Sequence, residues 1–268
     1  MLKEFSLEGK VAIVTGALGL IGKEHCRGLA EAGANVVVTD LDDAKCKEFA
    51  QTLSVESIGV GADITKEDSV AALLGEVMKK WGHVDVLVNN AAINEKFENP
   101  EQAGEQSKFE NFPLDMFRES IEVNVIGMFI CSKIIGSQMA KQGKGSIINI
   151  ASTYGIVGPD QSIYIDENGE QKFYKTAAYP TTKGAVLNFT RFLAAYWGKS
   201  GIRVNTLSPG GVQNNQDPHF IKLYSQKTPL NRMSKASEYQ GGVVYLASDA
   251  SSYVTGSNLV IDGGWTAW

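Results

Sequence analysis

The residue types and spacing that speak most directly to chemistry are Tyr179 and Lys183, in the run AAYPTTKGAVLNFTRFLAAYW. Four residues apart on a helix, a phenol and an ammonium share one face and come close enough to couple their ionisation. A free tyrosine titrates at about 10 and is a poor acid or base at neutral pH, whereas an adjacent cation favours the phenolate and brings it toward the working range. The chemistry on offer is proton transfer. By itself the pair is weak, because an aromatic and a lysine fall at this spacing on many amphipathic helices.

The opening of the chain supplies something for such a pair to act with. The apolar run Val11-Ala12-Ile13-Val14 leads into Thr15-Gly16-Ala17-Leu18-Gly19-Leu20-Ile21-Gly22 and then into a helical pattern through Ala32. Strand, glycine turn and helix in that order let a pyrophosphate approach the free amides at a helix N-terminus, where the dipole favours an anion. A second strand, Val36-Val37-Val38-Thr39, ends in Asp40, roughly twenty residues beyond the turn, where a carboxylate can accept from both hydroxyls of an adenosine ribose. That carboxylate would repel a 2′-phosphate, and neither Arg nor Lys follows in Leu41-Asp42-Asp43. NAD(H) is therefore expected over NADP(H).

Length and composition bound the rest. A chain of 268 residues with 43% hydrophobic and 21% charged residues reads as one globular domain over 1–268, long enough for a large core. The net charge of −5 gives no electrostatic gain with nucleic acid or an anionic membrane, which leaves small molecules as the expected ligands. Cys26, Cys46 and Cys131 are odd in number and lack CxxC spacing, so they are expected to be reduced, structural thiols in a cytoplasmic protein. His25, His83 and His219 share no ligand-like spacing, so no zinc site is expected. Lys3 and Glu4 precede any apolar run and no stretch approaches ~18 uninterrupted apolar residues, so neither export nor membrane insertion is expected.

The elements that must position these groups alternate regularly. After the second strand come a helix from about Asp43 to Leu53, a strand Ser57–Gly61 ending at Ala62-Asp63, and a helix from about Lys66 to Trp81. A buried strand Val84–Val88 runs into Asn89-Asn90-Ala91-Ala92, and a long helix from about Leu114 to Gln142 leads to the strand Ser146–Ala151. The tyrosine helix follows, and Ile202–Leu207 and Asn258–Ile261 complete seven strands. Strands separated by helices make an α/β fold: a doubly wound parallel sheet covered on both faces, with a ligand crevice where the winding direction changes after the third strand.

With these pieces in place, the whole chain resembles the classical short-chain dehydrogenase/reductase family, through the glycine turn, Asn89-Asn90-Ala91-Ala92, Ser152, Tyr179-x-x-x-Lys183, Ser208-Pro209-Gly210 and Asp262-Gly263-Gly264. Each motif is weak alone; all of them in order are specific. The resemblance implies a Rossmann-type fold and hydride transfer between a nicotinamide cofactor and a secondary alcohol or ketone. It implies Tyr179 as acid/base, Lys183 lowering the tyrosine's pKa and holding the nicotinamide ribose, Ser152 polarising the substrate oxygen and Asn124 supporting a proton-relay water. It also implies cofactor contacts at Gly16, Gly19, Leu20, Ile21, Gly22 and Asp40, at Asp63 and Ile64 beside the adenine, at Asn90 and Ala91, and at Pro209, Gly210 and Val212 near the nicotinamide. Homodimers or homotetramers are usual in the family. Chemistry agrees with these roles, since a hydroxyl proton must leave as the C–H bond breaks, and a hydroxyl at a strand end can donate to the developing alkoxide.

Four departures stand out. The usual TGxxxGxG turn carries Leu20 at its middle glycine, and Gly19 is expected to supply the permissive backbone beside it. NNAA replaces NNAG. A polar and aromatic segment, Gly158 to Lys175, lengthens the path from Ser152 to Tyr179, and a polar insertion from about Asn94 to Phe112 follows the fourth strand. Loops at strand ends carry specificity, and these are rich in hydrogen-bonding groups, which suits a polar or sugar-derived substrate. STYGIVGPDQSIY, AYPTTKGA and SPGGVQNNQDP further resemble a subgroup met in flagellin-modification and surface-sugar pathways. A nucleotide-sugar epimerase or dehydratase normally adds a substrate domain after the tyrosine helix, for which little chain is left. A non-catalytic dinucleotide-binding protein would be expected to lack one of Ser152, Tyr179 and Lys183. Trp265 and Trp268 are expected to pack on a neighbouring subunit or to close the site.

Overall fold

The computed structural model describes residues 2–95 and 100–268. Strands β1 (Val11–Thr15), β2 (Asn35–Asp40), β3 (Ser57–Gly61), β4 (Val86–Asn89), β5 (Gly145–Ile150), β6 (Ile202–Pro209) and β7 (Asn258–Ile261) form one sheet in the order β3-β2-β1-β4-β5-β6-β7. Every pairing is parallel. The chain winds outward from β1 to β3, then returns to β4 and winds the other way, so the crevice opens between the carboxyl ends of β1 and β4.

Central strands buried on both faces need no polar alternation, and every residue of β1, β4 and β5 is buried. Successive side chains still point to opposite faces. Ala12, Val14, Val36, Val38, Val86 and Val88 meet Cys26 and Leu29 of the helix Leu20–Glu31 and Val243 and Leu246 of the helix Gln240–Ala247. Val11, Ile13, Val37 and Leu87 face Val70, Leu73 and Val77 of the helix Glu67–Trp81, together with the long helix and the tyrosine helix. Each fully buried valine or isoleucine contributes about 1.5–3 kcal/mol, so the strand ends that carry the site rest on a rigid base.

The long helix runs from Leu114 to Gln142 with π-helical turns at Glu122–Gly127 and Ser132–Gly136. By length and composition it could cross a membrane, but half of its apolar stretch is buried, with Ile130, Cys131, Ile135 and Met139 in the core. The tyrosine helix spans Ala178–Trp197. Boundary differences are small: β4 spans Val86–Asn89, and just before it the Asp85 carboxylate accepts from the Val11 amide at 2.9 Å. The helix from Asp43 ends at Ala50. The three thiols are buried and unpaired, and burial pushes Cys46 to about 11 and Cys131 to about 12.

The two insertions are structured and tied to each other. The first holds a helix, Pro100–Gln106, and a 3₁₀ turn, Phe109–Asn111, while its residues 96–99 lie outside the described residues. The second folds through a 3₁₀ turn, Gln161–Tyr164, and an antiparallel bridge between Ile165 and Gln171. The Tyr174 amide donates to Ser107 Oγ at 3.0 Å, Thr176 Oγ1 to Glu95 Oε2 at 2.8 Å, and Lys175 Nζ to Asn94 Oδ1. The two C-terminal indoles part ways. Trp265 stacks on Tyr224 with centroids 4.3 Å apart, whereas Trp268 is 79% exposed and donates to the Lys227 carbonyl.

Candidate active site

The glycine turn is built around Thr15 and Asn90. Thr15 Oγ1 donates to the Val88 carbonyl at 3.3 Å and accepts from the amides of Asn90 and Ala91, each at 3.1 Å. Asn90 Nδ2 donates to the carbonyls of Thr15 and Gly16, each at 2.9 Å, locking the ends of β1 and β4 together. Gly16 takes φ +61°, and a Cβ there would stand 2.6 Å from Ala91 Cα. The permissive residue is therefore Gly16, which corrects the expectation for Gly19. Gly19 has φ −69°, open to any residue, and serves as the N-cap of the helix Leu20–Glu31. No side chain caps that helix, so its first amides are left at the crevice beside Leu20 and Ile21. Gly22 packs against the turn so tightly that a Cβ would lie 2.2 Å from the Gly16 carbonyl oxygen. Ala92 needs no positive φ, so alanine is accommodated there without strain.

Asp40 sits at the end of β2, its oxygens accepting from the amides of Leu18 at 3.1 Å and Leu41 at 2.8 Å. Each carboxylate oxygen keeps one lone pair for a further donor. Asp63 accepts from both the amide and the hydroxyl of Thr65, which holds its carboxyl below the usual range and fixes the turn through Ile64. Both residues, with Ile64, border the same cleft.

At the other end of the cleft, Ser152 follows β5. Its Oγ accepts from the Tyr154 amide at 3.2 Å as a helix cap, and its hydroxyl favours the phenolate of Tyr179. A Cβ on Gly155 would lie 2.5 Å from the Lys183 carbonyl oxygen, so glycine lets this segment press against the tyrosine helix. Lys183 is 4% exposed, donates to the Ile150 carbonyl at 2.8 Å, and stands 5.7 Å from the centroid of the Tyr179 ring. Burial pulls its pKa down to about 8. Tyr179 titrates above the ordinary range, because burial disfavours the phenolate and the Glu95 carboxylate repels it, while Ser152 pulls the other way. The expected lowering of the phenol by Lys183 is thus not found among the protein's own groups. The ammonium is spent on Ile150, and desolvation dominates.

Asn124 lies in the first π-turn behind the cleft wall. Its Oδ1 accepts from the Ile93 amide at 2.8 Å, and its Nδ2 donates to the Ile93 carbonyl at 3.0 Å and to Thr182 Oγ1 at 3.1 Å. It joins the segment after β4 to the tyrosine helix. Pro209, Gly210 and Val212 border the cleft from the end of β6.

Of the site residues expected from the sequence, all but Asn124 line one cleft of about 940 Å³. Sequence reasoning missed part of its wall: Glu95, Tyr154, Tyr164, Phe173, Lys175 and Phe220 also line it. For Glu95, Tyr164, Phe173 and Lys175 the available signal was the aromatic and charged makeup of the two insertions, which have no periodicity to tell inward from outward residues, while Tyr154 and Phe220 lie outside them. The arrangement offers an uncapped helix N-terminus for an anion, a carboxylate for a ribose, and a hydroxyl pair with a buried ammonium at the far end. This donor set fits a nicotinamide dinucleotide.

The family model described as enoyl-(acyl carrier protein) reductase matches residues 16–266. The chain belongs to the short-chain dehydrogenase/reductase family. It is 36% identical to 2,5-dichloro-2,5-cyclohexadiene-1,4-diol dehydrogenase of Sphingobium indicum over 97% of this chain and 98% of that protein. It is 34% identical to galactitol 2-dehydrogenase (L-tagatose-forming) of Cereibacter sphaeroides over 98% of each. A gluconate 5-dehydrogenase from Burkholderia cenocepacia J2315, solved in complex with NADP and tartrate, superposes with a TM-score of 0.86 at 29% identity, covering 100% of this chain and 99% of that one. Short-chain dehydrogenase/reductases are oxidoreductases that bind nicotinamide dinucleotides, and this chain carries their seven-stranded parallel sheet.

Proposed function

We propose that this short-chain dehydrogenase/reductase interconverts a secondary alcohol and a ketone, using NAD(H), on a polar cyclic or polyhydroxylated substrate. The observation that carries the reading is the placing of Ser152, Tyr179 and buried Lys183 on the wall of one cleft that also takes in Asp40. When bound, the dinucleotide supplies the hydride acceptor for oxidation and the donor for reduction. Tyr179 Oη takes the alcohol proton and returns it in the reverse direction. Ser152 Oγ donates to the substrate oxygen as negative charge develops there. Lys183 places a positive charge beside the phenol that grows in importance as the phenolate forms. Asn124 holds Ile93 of the cleft wall and Thr182 of the tyrosine helix, and through them keeps the wall in register for proton relay.

Asp40 favours NAD(H) because its carboxylate would repel a 2′-phosphate. The relatives named above include a cyclic diol dehydrogenase and a polyol dehydrogenase, which broadens the expected surface-sugar setting to cyclic and open-chain polyols. The exposed rings of Phe129, Phe192 and Tyr196 on the two long helices suit homo-oligomer formation, and the buried reduced thiols suit the cytoplasm. The test is a screen of polyols, cyclic alcohols and sugar acids with NAD⁺ and NADP⁺ in parallel, following absorbance of the reduced cofactor. Turnover of at least one such alcohol with NAD⁺ is expected. No turnover with any of them, or turnover with NADP⁺ alone, would overturn the corresponding part of the reading.

A further inference from the structure

The functional reading leaves a charged pair in the cleft without a task. Glu95 comes from the first insertion and Lys175 from the second, and their side chains are only 2% and 8% exposed. Their charged atoms stand 3.8 Å apart. Two ions taken out of water at this depth carry a several-kcal/mol penalty per ion that a single contact at this distance offsets poorly. Burial accordingly pulls Lys175 to about 8. Such a pair is a costly way to close a loop, and the hydrogen bonds linking Tyr174 to Ser107 already join the insertions.

Both charged groups have bonding capacity left over. Glu95 Oε1 accepts from Ser120 Oγ at 2.7 Å and Oε2 from Thr176 Oγ1 at 2.8 Å. Among the described residues, each oxygen therefore has one lone pair filled by a hydroxyl and another left over. Lys175 has three protons and spends one on Asn94 Oδ1. Both side chains line the cleft, and the Lys175 ammonium stands 4.6 Å from the centroid of the Tyr179 ring. It is closer to that ring than Lys183 is.

We propose that Glu95 and Lys175 are specificity-determining residues that recognise a second hydroxyl on the carbon next to the reacting carbinol, making a vicinal diol or polyol the preferred substrate. The proposal rests on the alcohol dehydrogenase reading above and deepens it. The argument is one of complementarity. A carboxylate placed between the two would pair with Lys175 but face Glu95, and an amine would do the reverse. A hydroxyl satisfies both, donating its proton to Glu95 and accepting from Lys175 with its oxygen. Charge-assisted bonds of this kind are about twice as strong as neutral ones, and a site built around a hydroxyl rejects the analogue lacking it far more strongly than an apolar pocket can. Aromatic rings line the same cleft. Tyr164 packs against Phe173 at 5.6 Å and Phe220 at 5.4 Å, presenting rings to the C–H face of such a substrate.

The test compares cis-cyclohexane-1,2-diol with cyclohexanol, which differ only in the neighbouring hydroxyl. Wild-type enzyme is expected to show kcat/KM at least tenfold higher for the diol, a comparison that needs no variant. The double variant E95Q/K175M leaves no lone buried charge, and is expected to lose at least tenfold of that preference, chiefly through KM. Its melting temperature and dinucleotide affinity are measured alongside as checks on folding. A wild-type enzyme that treats the two alcohols alike or prefers cyclohexanol would overturn the proposal, and so would a folded double variant that retains the full preference. Absence of turnover with every alcohol in the broader screen would instead refute the functional reading itself.

Discussion

Lys183 ties catalysis to stability, and replacing it with methionine separates the two. The ammonium is almost wholly buried and has one acceptor among the described residues, the Ile150 carbonyl at 2.8 Å. Its pKa in the fold is about 8, against 10.5 for the free side chain. A difference of that size corresponds to about 3 kcal/mol by which the fold disfavours the charged form. Methionine has similar length and no charge, but it gives up the hydrogen bond to Ile150, a cost of about 1–2 kcal/mol. Lys183→Met is therefore expected to be more stable than wild type at pH 7 by about 1–2 kcal/mol, while losing nearly all turnover. The sign of the pH dependence follows from the lowered pKa. Below about 8 the lysine is charged in both states and the fold bears the whole penalty. Between that value and 10.5 the unfolded chain binds the extra proton, so wild-type stability rises with pH and the advantage of the variant shrinks. Urea unfolding of both proteins at pH 7 and pH 9.5 reads this directly. A variant less stable than wild type at pH 7, or a gap that does not change between the two pH values, would refute the reasoning.

Three further outcomes are expected. Gly16→Ala must adopt a left-handed φ and push against Ala91, costing about 1–3 kcal/mol, and calorimetry and dinucleotide titration should both report the loss. Asp40→Ser removes the carboxylate from the end of β2, and the NAD⁺ to NADP⁺ ratio of kcat/KM should fall at least tenfold, about 1.4 kcal/mol, in steady-state assays. Trp265→Ala takes a buried ring off Tyr224 and should cost about 3 kcal/mol in thermal unfolding, whereas Trp268→Ala, at an exposed position, should stay within about 0.5 kcal/mol of wild type.

How much of this was legible in the sequence depends on whether the signal is local. The β1–glycine turn–helix unit, Asp40 at the end of β2 and the alternation of strands with helices could be read because each rests on short-range periodicity or on one residue at a strand end. Ser152, Tyr179 and Lys183 could be named for the same reason, and the structure sets them around one cleft. The electrostatics could not. That Lys183 bonds the Ile150 carbonyl, and that desolvation outweighs any cation at Tyr179, depends on burial created by distant strands. The permissive glycine was misplaced for a related reason: Gly16 has no room for a Cβ because Ala91, just beyond β4, presses against it. Glu95 and Lys175 meet only because two insertions far apart in the chain fold against each other, and no spacing rule connects them. The two C-terminal tryptophans read alike, yet one fills a core cluster and the other faces solvent.

The central claim is that Tyr179 moves the proton while the dinucleotide lies in the cleft running from Asp40 to Ser152. Tyr179→Phe removes one oxygen atom and keeps the ring, so single-turnover rates with a good alcohol from the screen, measured together with NADH affinity, test it most directly. The account predicts a fall of about 10²–10⁴-fold in the rate of hydride transfer, with NADH affinity within about threefold of wild type. A variant that transfers hydride at the wild-type rate would contradict it.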